Sequence, residues 1–162
     1  MTPWQPAYVG VGSNLEDPQA QVQRALQRLG ALPQTRRVLT SPLYRSAPFG
    51  PVAQPDFVNA AAALLTGLTL EELFAQLRAL EAALGRPAAH AHWGPRIIDL
   101  DLLAYGNERR SDPALTVPHP GIVERNFVLY PLADIAPELQ LPGLGRVADL
   151  KTRVSASGLT PL

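Results

Sequence analysis

The sequence predicts an α+β fold: a ferredoxin-like α/β sandwich on a mainly antiparallel sheet, with a βαββαβ core and a C-terminal extension. Three observations lead there. Short apolar runs alternate with two amphipathic stretches of helical period, in the order βαββαβ. The 162 residues suit one hydrophobic core, so residues 1–162 are expected to form a single domain. With 46% hydrophobic and 17% charged residues, the chain as a whole is not disordered.

Ala7 to Gly12 (AYVGVG) is a short β-branched apolar run and reads as the first strand. The first helix follows. Asp17 can cap it, Pro18 suits its first position, and Val22, Ala25, Leu26 and Leu29 form its stripe before Gly30. Thr35 to Tyr44 reads as a second strand. Ser46 to Pro55 holds three prolines and a glycine, too stiff for a helix or central strand, and is expected to be a loop that could serve as a lid. Phe57 to Leu65 reads as a third strand, with its four alanines keeping a helix in competition.

Thr69 and Glu72 form a capping box for the second helix, and Leu70, Leu73, Phe74, Leu77, Leu80 and Leu84 line one face up to Gly85. Arg86 to Pro95 reads as a second loop, Ile97 to Tyr105 as a fourth strand, and Arg125 to Ile135 as a short helix before Pro137. Beyond Leu139 the chain is punctuated by Gly and Pro, with one helix near Val147 to Arg153, and peripheral structure is expected there. The helices are expected on one face of the sheet. No internal repeat accompanies the two βαβ-like halves.

Charge is balanced, 14 basic against 14 acidic side chains, which gives no support to binding of nucleic acid or an anionic membrane. Any anion site is therefore local. Lys151 is the sole lysine and lies in no Gly-rich loop, so a P-loop is excluded. The absence of cysteine excludes disulfides, thiolate metal sites and a cysteine nucleophile. Neither a signal-like N-terminus nor a run of ~18 apolar residues is present, and a cytoplasmic protein is expected. Gly10-Val-Gly-Ser-Asn-Leu15 lacks the third glycine of a dinucleotide fingerprint; it reads as a strand-to-helix turn in which Ser13 and Asn14 satisfy backbone groups.

The richest stretch is His92 to Leu103, HWGPRIIDLDLL. On a strand, Asp99 and Asp101 share one face while Ile98, Leu100 and Leu102 take the other. Two carboxylates so close repel unless a cation lies between them, and a carboxylate pair plus substrate phosphates is how Mg²⁺ is usually held. An exposed strand whose acids pair with arginines is the plainer alternative. Arg86, Arg96, Arg125 and His119 surround this stretch in sequence, and guanidinium groups near such a centre can hold a polyphosphate. Phe57, Phe127 and Trp93, with Asn59 and Asn126 nearby in sequence, would suit a flat heterocycle, although each aromatic could equally belong to the core.

These residues resemble the 6-hydroxymethyl-7,8-dihydropterin pyrophosphokinase family. The resemblance rests on His92–Leu103 throughout and on blocks in matching order: Gly12-Ser-Asn-Leu15, Tyr44-Arg-Ser46 with Pro48 and Gly50, Gln54-Pro-Asp-Phe-Val-Asn-Ala60, Leu115-Thr-Val-Pro-His119, and Arg125 with Phe127. It spans roughly residues 7–142 and implies the stand-alone form of the enzyme. The implied reaction moves the β,γ-diphosphate of ATP to the hydroxymethyl oxygen of the dihydropterin and releases AMP.

By the same resemblance, Asp99 and Asp101 would hold two Mg²⁺, with Asp101 helping to remove the hydroxyl proton, while Arg86 and Arg96 stabilise the transferring group. Glu81, Thr116, His119 and Arg125 would contact ATP. Phe57 and Phe127 would sandwich the pterin and Asn59 would bond its edge, with Trp93, Ser46 and Phe49 closing over the site. Phe57 stands where tyrosine is frequent, Ala88 and His92 replace basic residues, and Pro120 follows His119 in place of an aromatic. The missing cations imply weaker charge compensation for ATP, offset by His90 or His92. The expected partners are small molecules only, with no nucleic acid or membrane, acting on a monomer. Rival readings are a pocket that binds without turnover, a metal-dependent phosphohydrolase, and a structural interaction protein.

Overall fold

In the computed structural model the described residues are 3–48, 53–85 and 98–162. The core runs β1 (Gln5–Ser13), α1 (Pro18–Leu29), β2 (Thr35–Thr40), β3 (Tyr44–Ser46), β4 (Phe57–Thr66), α2 (Leu70–Ala83) and β5 (Asp99–Tyr105). After it come β6 (Arg110–Ser111), β7 (Thr116–Val117), a 3-10 turn (Ile122–Glu124), α3 (Asn126–Ile135), β8 (Gln140–Leu141), β9 (Gly145–Arg146), α4 (Val147–Thr152) and β10 (Leu159–Pro161). The main sheet has the order β10-β3-β4-β1-β5, with β2 also on β4, and its pairs are antiparallel. This is the ferredoxin-like order, in which β1 and β4 occupy the centre and each helix crosses between non-adjacent strands.

Local chemistry fixes both crossover helices. Asp17 Oδ1 accepts from the Ala20 N–H at 3.4 Å, and Pro18 sits where a missing N–H costs nothing. Thr69 Oγ1 accepts from Glu72 N–H at 3.1 Å, and Glu72 Oε1 accepts from Thr69 N–H at 2.9 Å, closing the capping box. Thr69→Ala should lower stability by about 1 kcal/mol and the melting temperature by roughly 2–4 °C. Thermal denaturation followed by circular dichroism measures this; turnover well below melting should not change.

Three expectations are corrected. The second strand is two strands, because Pro42 has no N–H for the ladder and Ser41 replaces it, its Oγ accepting from Ala61 N–H at 2.9 Å. The helices do not share one face: α1 and α2 cover one side of the sheet, while α3 and α4 pack on the other against Ala61, Leu103 and Ala104. The cause is legible in β4, whose run Val58–Leu64 is buried without alternation, as expected of a strand covered on both sides. The C-terminal segment is not merely peripheral, since β10 pairs with β3 through Leu159–Ser46, Thr160–Arg45 and Pro161–Tyr44.

The capped α1, α2, β4 and the late helices at 126–135 and 147–152 lie within a few residues of their expected bounds. Ile97, expected to open the fourth strand, lies outside the described residues. Among the described residues no helix is long and apolar enough to cross a membrane.

Candidate active site

The site is built on the sheet face that α3 approaches. In register, Asp99 faces Gly12 and Asp101 faces Gly10 across β1, while Gly12 also faces Asn59 on β4. Residues directly opposite on neighbouring strands share a face, so Asp99, Gly12 and Asn59 form one row and Asp101, Gly10 and Ala61 the next. A glycine is needed at 12 for space: a Cβ there would lie 3.0 Å from Asn59 Oδ1.

A cavity of about 290 Å³ opens over this floor. Ser46, Gln54, Phe57 and Asn59 line one side, Asp99 and Asp101 another, and Arg125, Phe127 and Val128 come from the start of α3. Asn59 and Ser46 are both buried, and Asn59 Nδ2 donates to Ser46 Oγ at 2.7 Å. That bond assigns the amide orientation and leaves Oδ1 beside Gly12. The outer strand β10 backs Ser46, and Asn126 Nδ2 donates to the Ser155 and Ser157 carbonyls at 2.9 and 3.0 Å.

The acidic end is tuned by its neighbours. Burial pushes the Asp101 carboxyl above the ordinary carboxylate range; His119 pulls it back, repulsion from Asp99 adds to the rise, and Arg125 and Arg78 oppose it. His119 Nδ1 accepts from Gly121 N–H at 3.1 Å, which places the proton of the neutral ring on Nε2, 4.0 Å from Asp101 Oδ1. Burial lowers the imidazole pKa, Asp101 raises it and Arg125 lowers it again, with depression the net result. At neutral pH His119 is therefore mainly an uncharged Nε2–H donor aimed at the acidic end. Arg125 lies against the Gly121 main chain, where a Cβ would sit 2.8 Å from its Nε, and its guanidinium is 5.9 Å from the Phe127 ring centre.

Of the residues singled out in the sequence, Ser46, Phe57, Asn59, Asp99, Asp101, Arg125 and Phe127 line one cavity. Thr116 and His119 line an adjoining groove of about 280 Å³. Glu81 lines neither. It is 1% exposed on α2, with Oε2 accepting from Leu100 N–H at 2.8 Å. Arg86, Phe49, Trp93 and Arg96 lie outside the described residues, as do Ala88, His90 and His92.

Sequence reasoning put Gly10 and Gly12 at the end of the first strand and in the turn after it, and missed them as floor residues. They belong to β1, and the turn lies beyond Ser13, where Glu16 and Asp17 have φ of 49° and 62°. Two glycines at period two within an apolar strand were the available signal. Gln54 and Val128 were also missed. Asn14, read as a local turn residue, reaches across instead: its Nδ2 donates to Gln54 Oε1 at 3.2 Å, tying the end of β1 to the cavity rim.

A family model described as 7,8-dihydro-6-hydroxymethylpterin-pyrophosphokinase (HPPK) matches residues 8–137. The chain is 46% identical over 158 residues to the 2-amino-4-hydroxy-6-hydroxymethyldihydropteridine pyrophosphokinase of Pseudomonas aeruginosa, covering 98% of this chain and 97% of that protein. It is 43% identical over 153 residues to the protein of the same name from Methylorubrum extorquens, covering 94% and 96%. Among solved structures it is similar to Plasmodium falciparum HPPK-DHPS with pteroate, with a TM-score of 0.75 at 13% identity. That match covers 94% of this chain and 43% of the longer Plasmodium chain, and at such identity it carries the fold alone.

Proposed function

The chain belongs to the 7,8-dihydro-6-hydroxymethylpterin-pyrophosphokinase family, whose reaction transfers diphosphate from ATP to 6-hydroxymethyl-7,8-dihydropterin in folate biosynthesis, and we propose that the cavity over Asp99 and Asp101 is where this transfer occurs. One observation carries the placement: the carboxylate pair opens into the same cavity as two aromatic rings and the amide of Asn59. At about 290 Å³ the cavity is near the lower end of the ~300–1,000 Å³ typical of small-molecule pockets. It suits one flat heterocycle, which leaves the nucleotide to extend past Asp101 toward the groove of Thr116 and His119.

The donor set fits Mg²⁺ held jointly with substrate. Asp99 and Asp101 share one face, and among the described residues no group of three or more His, Cys, Asp or Glu side chains gathers to hold an ion alone. Mg²⁺ ordinarily combines one or two carboxylates with phosphate oxygens and water. Two ions here would neutralise phosphate charge and lower the pKa of the attacking hydroxyl.

Phe57 and Phe127 hold the pterin ring between β4 and α3, and Asn59 fixes its edge, presenting the hydroxymethyl group to the acidic end. The hydroxymethyl oxygen bonds to the β-phosphorus as the bond from that phosphorus to the bridging oxygen breaks, and the pair of electrons leaves with AMP. The hydroxyl proton passes toward Asp101, a carboxylate that burial has made more basic. Thr116, the Nε2–H of His119 and Arg125 bind the ATP phosphates and sugar. Arg86 and Arg96 complete the charge set on the transferring group, with Trp93 and Phe49 covering the site against water. One domain over residues 1–162, working as a cytoplasmic monomer, completes the proposal.

The test is AMP formation from ATP and Mg²⁺ with and without 6-hydroxymethyl-7,8-dihydropterin. Acceptor-dependent AMP is expected. Phosphate released without the pterin would instead identify a phosphohydrolase, and ligand binding with no AMP a non-catalytic module. Asn59→Ala should raise the pterin KM about tenfold, the worth of one buried hydrogen bond, and leave the ATP KM unchanged in steady-state kinetics.

A further inference from the structure

Among the described residues β5 closes one end of the main sheet, so the groups on its outer side find no partner there in another strand of that sheet. Such edge groups still need partners where they are buried. At Leu100 both come from one helix. Glu81 Oε2 accepts from the Leu100 N–H at 2.8 Å, and Arg78 donates to the Leu100 carbonyl. Arg78 and Glu81 stand three residues apart on α2, and Arg78 Nε lies 3.3 Å from Glu81 Oε1, close enough to attract but not aligned as a hydrogen bond. The Arg78 guanidinium also lies 5.0 Å from the Phe74 ring centre, which steadies it on the helix.

Leu100 is the residue between Asp99 and Asp101, and its side chain is wholly buried on the opposite side of the strand. Its peptide groups are thus gripped from outside while β1 holds its neighbours from within. Neither Arg78 nor Glu81 lines the cavity.

We infer that Arg78 and Glu81 are positioning residues which hold the Leu100 main chain so that the two carboxylates keep the spacing a shared divalent cation requires. This rests on the reading of Asp99 and Asp101 as the cation site. It differs from a nucleotide contact by Glu81, because the side chain acts through the strand. Supporting groups behind metal ligands typically matter by about 10–100-fold in affinity.

The full chain carrying Glu81→Met, Glu81→Gln, Arg78→Met or Asp101→Asn tests this with two readouts: Mn²⁺ affinity by electron paramagnetic resonance in the presence of a non-hydrolysable ATP analogue, and hydrogen exchange of the Leu100 amide by NMR. Glu81→Met should speed Leu100 exchange and weaken Mn²⁺ binding about 10-fold or more, while pterin binding stays at the parent value. Glu81→Gln keeps an acceptor and should remain close to the parent in both readouts. Arg78→Met, at a side chain 40% exposed, supplies a variant that should fold even where Glu81→Met does not, and it should weaken Mn²⁺ binding in the same direction.

Equal losses in Glu81→Gln and Glu81→Met would overturn the inference, since charge and not the main-chain bond would then be at work. Unchanged Mn²⁺ affinity in both Met variants, with Asp101→Asn impaired, would overturn the pair alone. Asp101→Asn binding Mn²⁺ like the parent would overturn the cation site and, with it, the purpose assigned to the pair.

Discussion

Asp101→Asn should reduce turnover by at least about a thousandfold, the equivalent of roughly 4 kcal/mol of lost transition-state stabilisation. The melting temperature of the ligand-free protein should not fall. These outcomes separate because Asp101 is held at a cost to the fold: burial and repulsion from Asp99 raise its pKa, against the opposing pull of His119, Arg125 and Arg78. A carboxyl whose folded pKa is raised opposes folding once it is ionised, so at neutral pH a neutral isostere removes that burden. Single-turnover AMP formation and a thermal melt on the same preparation check both halves. Retained turnover would remove Asp101 from the chemistry, whereas a collapsed melt with proportionate loss of activity would make it a structural residue.

Leu129→Ala and Leu73→Ala should each cost about 3 kcal/mol, since both side chains are completely buried and their loss leaves a cavity. For a chain of this size the melting temperature should fall by roughly 6–12 °C. Their effects on binding should differ. Leu129 packs in the core under α3, next to Val128 and two residues beyond Phe127, both of which line the cavity. Leu73 packs under α2 on the far face of the sheet. Leu129→Ala should therefore raise the pterin KM at temperatures well below melting, and Leu73→Ala should leave it at the parent value. Equal KM values in the two variants would mean that α3 holds its ring without help from the core beneath it.

The sequence makes legible whatever is decided within a few residues. Asp17 and Pro18 start α1, Thr69 and Glu72 start α2, and the alternation Asp99-Leu100-Asp101 states which side chains share a face; all three are recovered in the structure. Features that depend on distant partners were less visible. The break at Pro42 depends on Ser41 replacing a ladder bond to Ala61, and the place of Gly12 depends on Asn59 across the sheet. The bond of Glu81 to the Leu100 N–H and its approach to Arg78 likewise depend on how α2 packs against β5, and no local pattern announces them. The second core could be suspected only from the nearly unbroken apolar run of β4, which its four alanines make equally suitable for a helix.

The pairing of β10 with β3 also sets an order of events during synthesis. Tyr44–Ser46 leaves the ribosome long before Leu159–Pro161 has been made, while β1, β4 and the two capped helices can already associate. Until that late strand arrives, β3 has one neighbour instead of two, and its open edge can pair with another nascent chain. The wall bearing Ser46 is consequently among the last parts of the site to be secured, and a stall in translation ahead of residue 159 would leave a body with much of its core formed and its ligand pocket unfinished.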